Sequence, residues 1–172
     1  MASVQPLPFR IAQTVGLTSS GLLAGISLSF TLVSVPRLLE SPAPLLLQQW
    51  THLYNEGKVT VPPLTIVAST MWAYLAYGAS KAGAGSMEGE KYWGYVAAGV
   101  LVRITLKSAL FVPFTVLVMK DTNAKLLGRG NLSAEEIVKG ESVHQLVDRW
   151  GLLNLGRGTA LLASALVGTW TI

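Results

Sequence analysis

The chain has 172 residues, of which 51% are hydrophobic and 13% charged, and its net charge is +4. An ordinary soluble domain carries about 25% charged residues, and the basic residues here are scattered rather than gathered into an aromatic-laced patch, which excludes a nucleic-acid partner. There is no cysteine, which excludes disulfides, thiol nucleophiles, iron–sulfur clusters and Cys-ligated zinc.

No residue between Arg10 and Arg37 is charged. That stretch is long enough to cross a bilayer, which takes about 20 apolar residues, and it predicts a first span over 11–35. It is too long for the apolar core of a signal peptide and lacks a small-residue cleavage pattern, so it is expected to be retained. Gly16, Ser19, Ser20, Gly21, Ala24 and Gly25 would let neighbouring helices approach closely. Pro36 opens a predicted loop through Ser41-Pro42-Ala43-Pro44. Leu45 to Tyr54 mixes apolar and polar residues and predicts a short interfacial or re-entrant helix, stopped by Asn55-Glu56-Gly57. The second uncharged stretch, between Lys58 and Lys81, predicts a span over 60–80 with Pro62-Pro63 in its first turn, where proline costs least.

A glycine-rich loop leads to a third predicted span over 92–119, which holds Arg103 and Lys107 on one face and a kink at Pro113. Ser133 followed by Glu136 is a capping box that predicts a helix from near Ala134, with Ile137, Val138, Leu146 and Val147 on its apolar side. The last span is predicted over 150–171. The fold class is therefore all-α: a single domain built as an integral membrane four-helix bundle, with short interfacial helices in the loops. Basic residues concentrate in the two long loops, which the positive-inside rule places in the cytosol.

Chemistry has few places to reside. Arg103, Lys107 and Arg157 fall within apparent spans, where a charge costs roughly 2.5–3.5 kcal/mol even on a lenient scale. Each either faces a cationic pocket or snorkels to the headgroups. Lys107 and Arg157 also have loop acids such as Glu56 and Asp148 as candidate ion-pair partners. Trp150, Asn154 and Arg157 recur at i, i+4, i+7, one face of a helix. They read either as a stripe that holds a flat, oxygenated ligand or as an interfacial anchor with an interhelical hydrogen bond. Trp50 and Tyr54 share a face one turn apart. His52 and His144, the only histidines, are candidate proton acceptors near neutral pH; the bland reading makes each a surface histidine. No dinucleotide fingerprint, phosphate loop or nucleophile elbow is present.

Trp50-x3-Tyr54-x2-Gly57, then Pro113-Phe114-Thr115, Thr122-Asn123 before Leu126-Leu127, and Trp150-x3-Asn154-x2-Arg157 follow in this order. In a chain of this length the ordered set resembles the fungal anthrone oxygenase-like family of small four-span membrane proteins. The resemblance covers nearly the whole chain. It implies oxidation of an anthrone-type aromatic polyketide to an anthraquinone by molecular oxygen, with no cofactor, in an endomembrane such as the endoplasmic reticulum. The partners expected are a small hydrophobic aromatic substrate and the lipid bilayer, and a homo-oligomer stays open. Under that reading Arg157 and Asn154 hold an oxyanion or peroxide. Trp150, Trp50 and Tyr54 line a flat pocket, Asn123 bonds at its edge, and Arg103 and Lys107 add positive potential. His52 is the first candidate base on chemical grounds alone, with Glu56 second. The competing readings are a membrane cyclase or isomerase of polyketides or terpenoids, separable by oxygen dependence, and a non-enzymatic four-span scaffold.

Overall fold

The structure is a computed structural model that describes residues 5–83, 85–105, 119–130 and 142–172. Every regular element among them is helical: α1 (Leu7–Ser29), a π-helical turn (Phe30–Ser34), α2 (Val35–Leu38), α3 (Ala43–Ala82), α4 (Met87–Glu90), α5 (Tyr92–Arg103), α6 (Met119–Arg129) and α7 (Val143–Thr171). The stretches expected as spans at 11–35, 60–80 and 150–171 lie within the continuous run of α1, π-turn and α2, within α3, and within α7. The capping box at Ser133, the kink at Pro113 and Lys107 lie outside the described residues. Two continuous helical stretches, Leu7–Leu38 and Ala43–Ala82, are long and apolar enough to cross a membrane.

Three local expectations are corrected. The chain does not leave the helix at Pro36, because proline occupies the first turn of α2, where its missing N–H is not needed. Leu45–Tyr54 is not a separate short helix. It opens α3, which runs unbroken for 40 residues through Asn55-Glu56-Gly57 and carries Pro62 and Pro63 in its interior rather than in its first turn. Packing overrides the local stop signal there. Asn55 and Glu56 are exposed to one side, while a Cβ at Gly57 would meet the Phe30 ring at ordinary contact distance, 3.5 Å. The prolines cannot donate to the carbonyls of Lys58 and Val59, so this stretch of α3 is where the helical ladder is incomplete.

Two buried clusters stack along the bundle. The upper one centres on Leu23, Trp72, Leu75, Tyr95, Val102 and Leu161. Small residues allow its close contacts: at Gly168 an added Cβ would run into the Trp72 ring. Polar ties run between its helices, from Trp72 Nε1 to Ser20 Oγ at 3.0 Å, Gln13 Nε2 to the Tyr95 hydroxyl at 2.9 Å, and Ser164 Oγ to the Ala98 carbonyl at 2.8 Å. Around it the surface is apolar, with Leu22, Ile66, Val67, Val100, Leu162 and Leu166 exposed. The lower cluster gathers Leu46, Leu47, Trp50, Leu126, Leu146, Val147 and Trp150, and its outer face carries Arg37, Glu40, Gln48, Gln49, Asp148 and Arg149.

Candidate functional site

A cavity of about 280 Å³ opens where the two clusters meet, near the lower end of the ~300–1,000 Å³ usual for small-molecule sites. The π-turn supplies Phe30, α6 supplies Asn123, α7 supplies Trp150, Asn154 and Arg157, and α3 supplies Tyr54, Lys58 and Thr65. On α3 these wall positions follow helical spacing, one stripe down a single face. On α7 Trp150, Asn154 and Arg157 do the same.

The aromatic part is a packed stack. Trp50 lies over Tyr54 with ring centroids 5.1 Å apart, and Trp150 meets Trp50 edge-on at 6.0 Å and Phe30 at 5.9 Å. Trp50 is fully buried behind the wall that Tyr54 and Trp150 form. The π-turn that delivers Phe30 is tied to α7 by Thr31 Oγ1 donating to the Gly151 carbonyl at 2.8 Å. Such turns widen a helix locally and often mark functional sites.

Several polar atoms of this region have no hydrogen-bond partner among the described residues. Asn154 Nδ2 donates to the Trp150 carbonyl at 2.9 Å. Asn154 Oδ1, Asn123 Oδ1, Arg157 Nε and Trp50 Nε1 are all sealed from water and have no hydrogen-bond partner among the described residues. Groups of this kind are rare in folded proteins and call for an explanation. Three of them, Asn154 Oδ1, Asn123 Oδ1 and Arg157 Nε, belong to residues that line one aromatic cavity, where a flat molecule with its own donors and acceptors can pair with them.

The structure thus brings together Trp50, Tyr54, Asn123, Trp150, Asn154 and Arg157. It does not bring His52, Glu56 or Arg103 to them. His52 and Glu56 are exposed on α3 away from the cavity, and Arg103 is exposed beside a separate groove between α3 and α5. His144 instead bonds the Ser41 carbonyl through Nε2 at 3.0 Å, holding the start of α7 to the turn before α3. Among the described residues no carboxylate or imidazole lines the cavity, and no three His, Asp or Glu side chains gather as metal ligands. Sequence reasoning missed Phe30, Lys58 and Thr65. Lys58 and Thr65 were within reach, at i+4 and i+11 from Tyr54, had the helix been carried through Gly57.

The sequence model of the anthrone oxygenase family matches residues 50–167. This chain belongs to the anthrone oxygenase family. Every residue lining the cavity except Phe30 lies within the matched stretch. The anthrone oxygenase encC of Aspergillus fumigatus is 31% identical over 187 aligned residues, covering 98% of this chain and 93% of that protein. The anthrone oxygenase nsrD of Aspergillus novofumigatus is 32% identical, covering 88% and 87%. A noranthrone monooxygenase of Aspergillus flavus is 27% identical, covering 90% and 70%. No solved structure matches this anthrone oxygenase family member.

Proposed function

We propose that this protein is a membrane-embedded oxygenase that converts an anthrone-type polyketide to the anthraquinone with molecular oxygen, in the cavity between the two clusters. The observation that carries the reading is the meeting of a stacked aromatic wall with two buried atoms that have no partner among the described residues, Arg157 Nε and Asn154 Oδ1, in a chain of this family. The inside-out character of the upper cluster supports the membrane setting. It buries Gln13, Ser20, Thr65 and Ser164 and exposes leucine, isoleucine and valine, as helices packed in lipid do. In that setting the bundle spans the membrane four times, with α5 belonging to the third crossing.

An anthrone methylene loses one proton to give a carbanion whose charge spreads onto the ketone oxygen. Arg157 holds that oxygen, so the site stabilises the anion instead of supplying a strong base. The proton leaves to solvent along the exposed Lys58 edge. The anion passes one electron to oxygen, and the carbon radical and superoxide combine to form a carbon–oxygen bond. The resulting peroxide takes a proton; loss of the second methylene hydrogen as a proton and cleavage of the oxygen–oxygen bond then release water and leave the second ketone. One anthrone and one oxygen molecule give one anthraquinone and one water. The electrons come from the substrate, and the wall holds Tyr54 and Trp150 against its rings.

The test is turnover of a polyhydroxylated anthrone by detergent-purified protein, with and without oxygen, after subtraction of the spontaneous rate, beside a folded Arg157→Ala variant. Oxygen-dependent turnover that the variant loses is the expected result. Rates equal to the blank across several anthrones would reject the oxygenase reading and favour an isomerase or cyclase.

A further inference from the structure

Asn154 is committed on one side only. Its Nδ2 donates to the Trp150 carbonyl, and this fixes the amide, since the flipped group would set two acceptor oxygens against each other. The free atom is therefore Oδ1, sealed from water and unpartnered among the described residues. Asn123 Oδ1 stands in the same condition, and both residues line the cavity. A carbonyl oxygen only accepts. It cannot hold a phenolate or a peroxide anion; only the second N–H of Nδ2 can serve the oxyanion role expected for Asn154, and Oδ1 is left for a different partner. What satisfies it is a ligand hydroxyl. Arg157 Nε is the complementary case, a buried donor that needs a ligand oxygen.

The chemistry of the ligand narrows this further. On an anthrone or anthraquinone, a hydroxyl beside the ketone closes an internal hydrogen bond to it and has no proton left to give. A hydroxyl further round the ring is free to donate. Resting on the oxygenase reading of the cavity, we infer that Asn154, with Asn123 as a second acceptor, is a specificity-determining residue that reads a ring hydroxyl remote from the ketone, while Arg157 takes the ketone oxygen.

The measurement is equilibrium binding to the full-length protein in detergent, followed by quenching of tryptophan fluorescence. The probes are two isomeric monohydroxy-anthraquinones, one with its hydroxyl beside the ketone and one with it further round the ring, at a pH where both phenols are protonated. The isomers share composition and nearly share shape, so a difference reports the free donor. Wild type is expected to prefer the remote isomer by roughly 10- to 100-fold, the effect of satisfying a buried acceptor. Asn154→Leu is expected to bring the two affinities together, and Asn123→Leu, which removes the second acceptor and leaves the bond from Asn154 to the Trp150 carbonyl in place, to narrow the preference. Equal binding of the isomers by wild type overturns the inference, as does a folded Asn154→Leu variant that still discriminates. If Asn154→Leu does not fold, an unchanged preference in Asn123→Leu overturns it. Isomer discrimination without anthrone turnover would reject the oxygenase reading and leave the Asn154 assignment standing; turnover without discrimination would do the reverse.

Discussion

Replacing Arg157 with methionine is expected to stabilise the ligand-free protein while disabling it. Arg157 is half-buried in α7, and its Nε has no partner among the described residues. An unsatisfied buried donor costs about 1–3 kcal/mol. Methionine keeps a long, flexible, apolar side chain and removes the donor, so most of the packing of the arginine stem survives. Allowing for some lost contact, a net gain of about 1 kcal/mol remains, which corresponds to roughly 2–4 °C in Tm for a chain of this size. Turnover should move the other way, falling about 100-fold or more, as when one preorganised donor to a developing oxyanion is removed. The assay is thermal unfolding in one detergent, followed by tryptophan fluorescence, with and without a hydroxylated anthraquinone, beside oxygen consumption on the anthrone. The ligand should raise the Tm of wild type more than that of the variant, because binding stabilises by mass action. A lower Tm for ligand-free Arg157→Met would refute the reasoning. It would mean that the guanidinium holds the fold together and does not wait for a ligand.

Gly168→Ala should destabilise by about 1–3 kcal/mol through overpacking, since the new Cβ meets the buried Trp72 ring, whereas Gly25→Ala, with nothing within 4 Å, should gain up to about 1 kcal/mol of helix propensity; thermal unfolding of the pair separates them. Ser20→Ala leaves the buried Trp72 Nε1 without its 3.0 Å acceptor and should cost about 1–3 kcal/mol, read as a lower Tm. Thr31→Val removes the bond from the π-turn to the Gly151 carbonyl; it should weaken anthraquinone binding more than it lowers Tm, because the turn positions Phe30 at the cavity. His52→Ala should leave anthrone turnover unchanged, and a large loss would return His52 to the position of base.

How much of this was legible in the sequence depends on which helix a residue sits on. Trp150, Asn154 and Arg157 could be read as one stripe because α7 is regular through that stretch, and i, i+4, i+7 spacing then puts all three on one wall. The same arithmetic, applied to α3, separates His52 from its neighbours. Successive residues turn by about 100°, so Trp50 and Tyr54 share a face and His52, halfway between, points away. That arithmetic was open within the helix predicted over 45–54; what the apparent helix end at Asn55-Glu56-Gly57 hid was the continuation of the stripe to Lys58 and Thr65. Nothing local to those three residues overrules the appearance; the contact of Gly57 with Phe30, from a distant part of the chain, does. The π-turn at Phe30 has no sequence signature, since its five residues Phe30-Thr31-Leu32-Val33-Ser34 would suit an α-helix equally well.

The length of α3 connects these observations. Its 40 residues reach about 60 Å at 1.5 Å per residue, twice the roughly 30 Å hydrocarbon thickness of a bilayer. On the membrane reading, half of α3 must project, and the two clusters divide at the place where it would emerge. Below that level the packing sense is that of a soluble protein, with Leu46, Leu146 and Val147 inside and Gln48, Gln49 and Asp148 outside. Above it the interior is still apolar but takes in serines and Thr65, and the surface becomes apolar too, with Leu162 and Leu166 outside. The buried apolar residues fall into two clusters across that joint. Pro62 and Pro63 also interrupt the α3 ladder there. A cavity at this level therefore exploits a break the architecture already contains. It is also the depth at which a cation such as Arg157 or Lys58 is least costly, and at which a flat, greasy phenol dissolved in the membrane presents its oxygens.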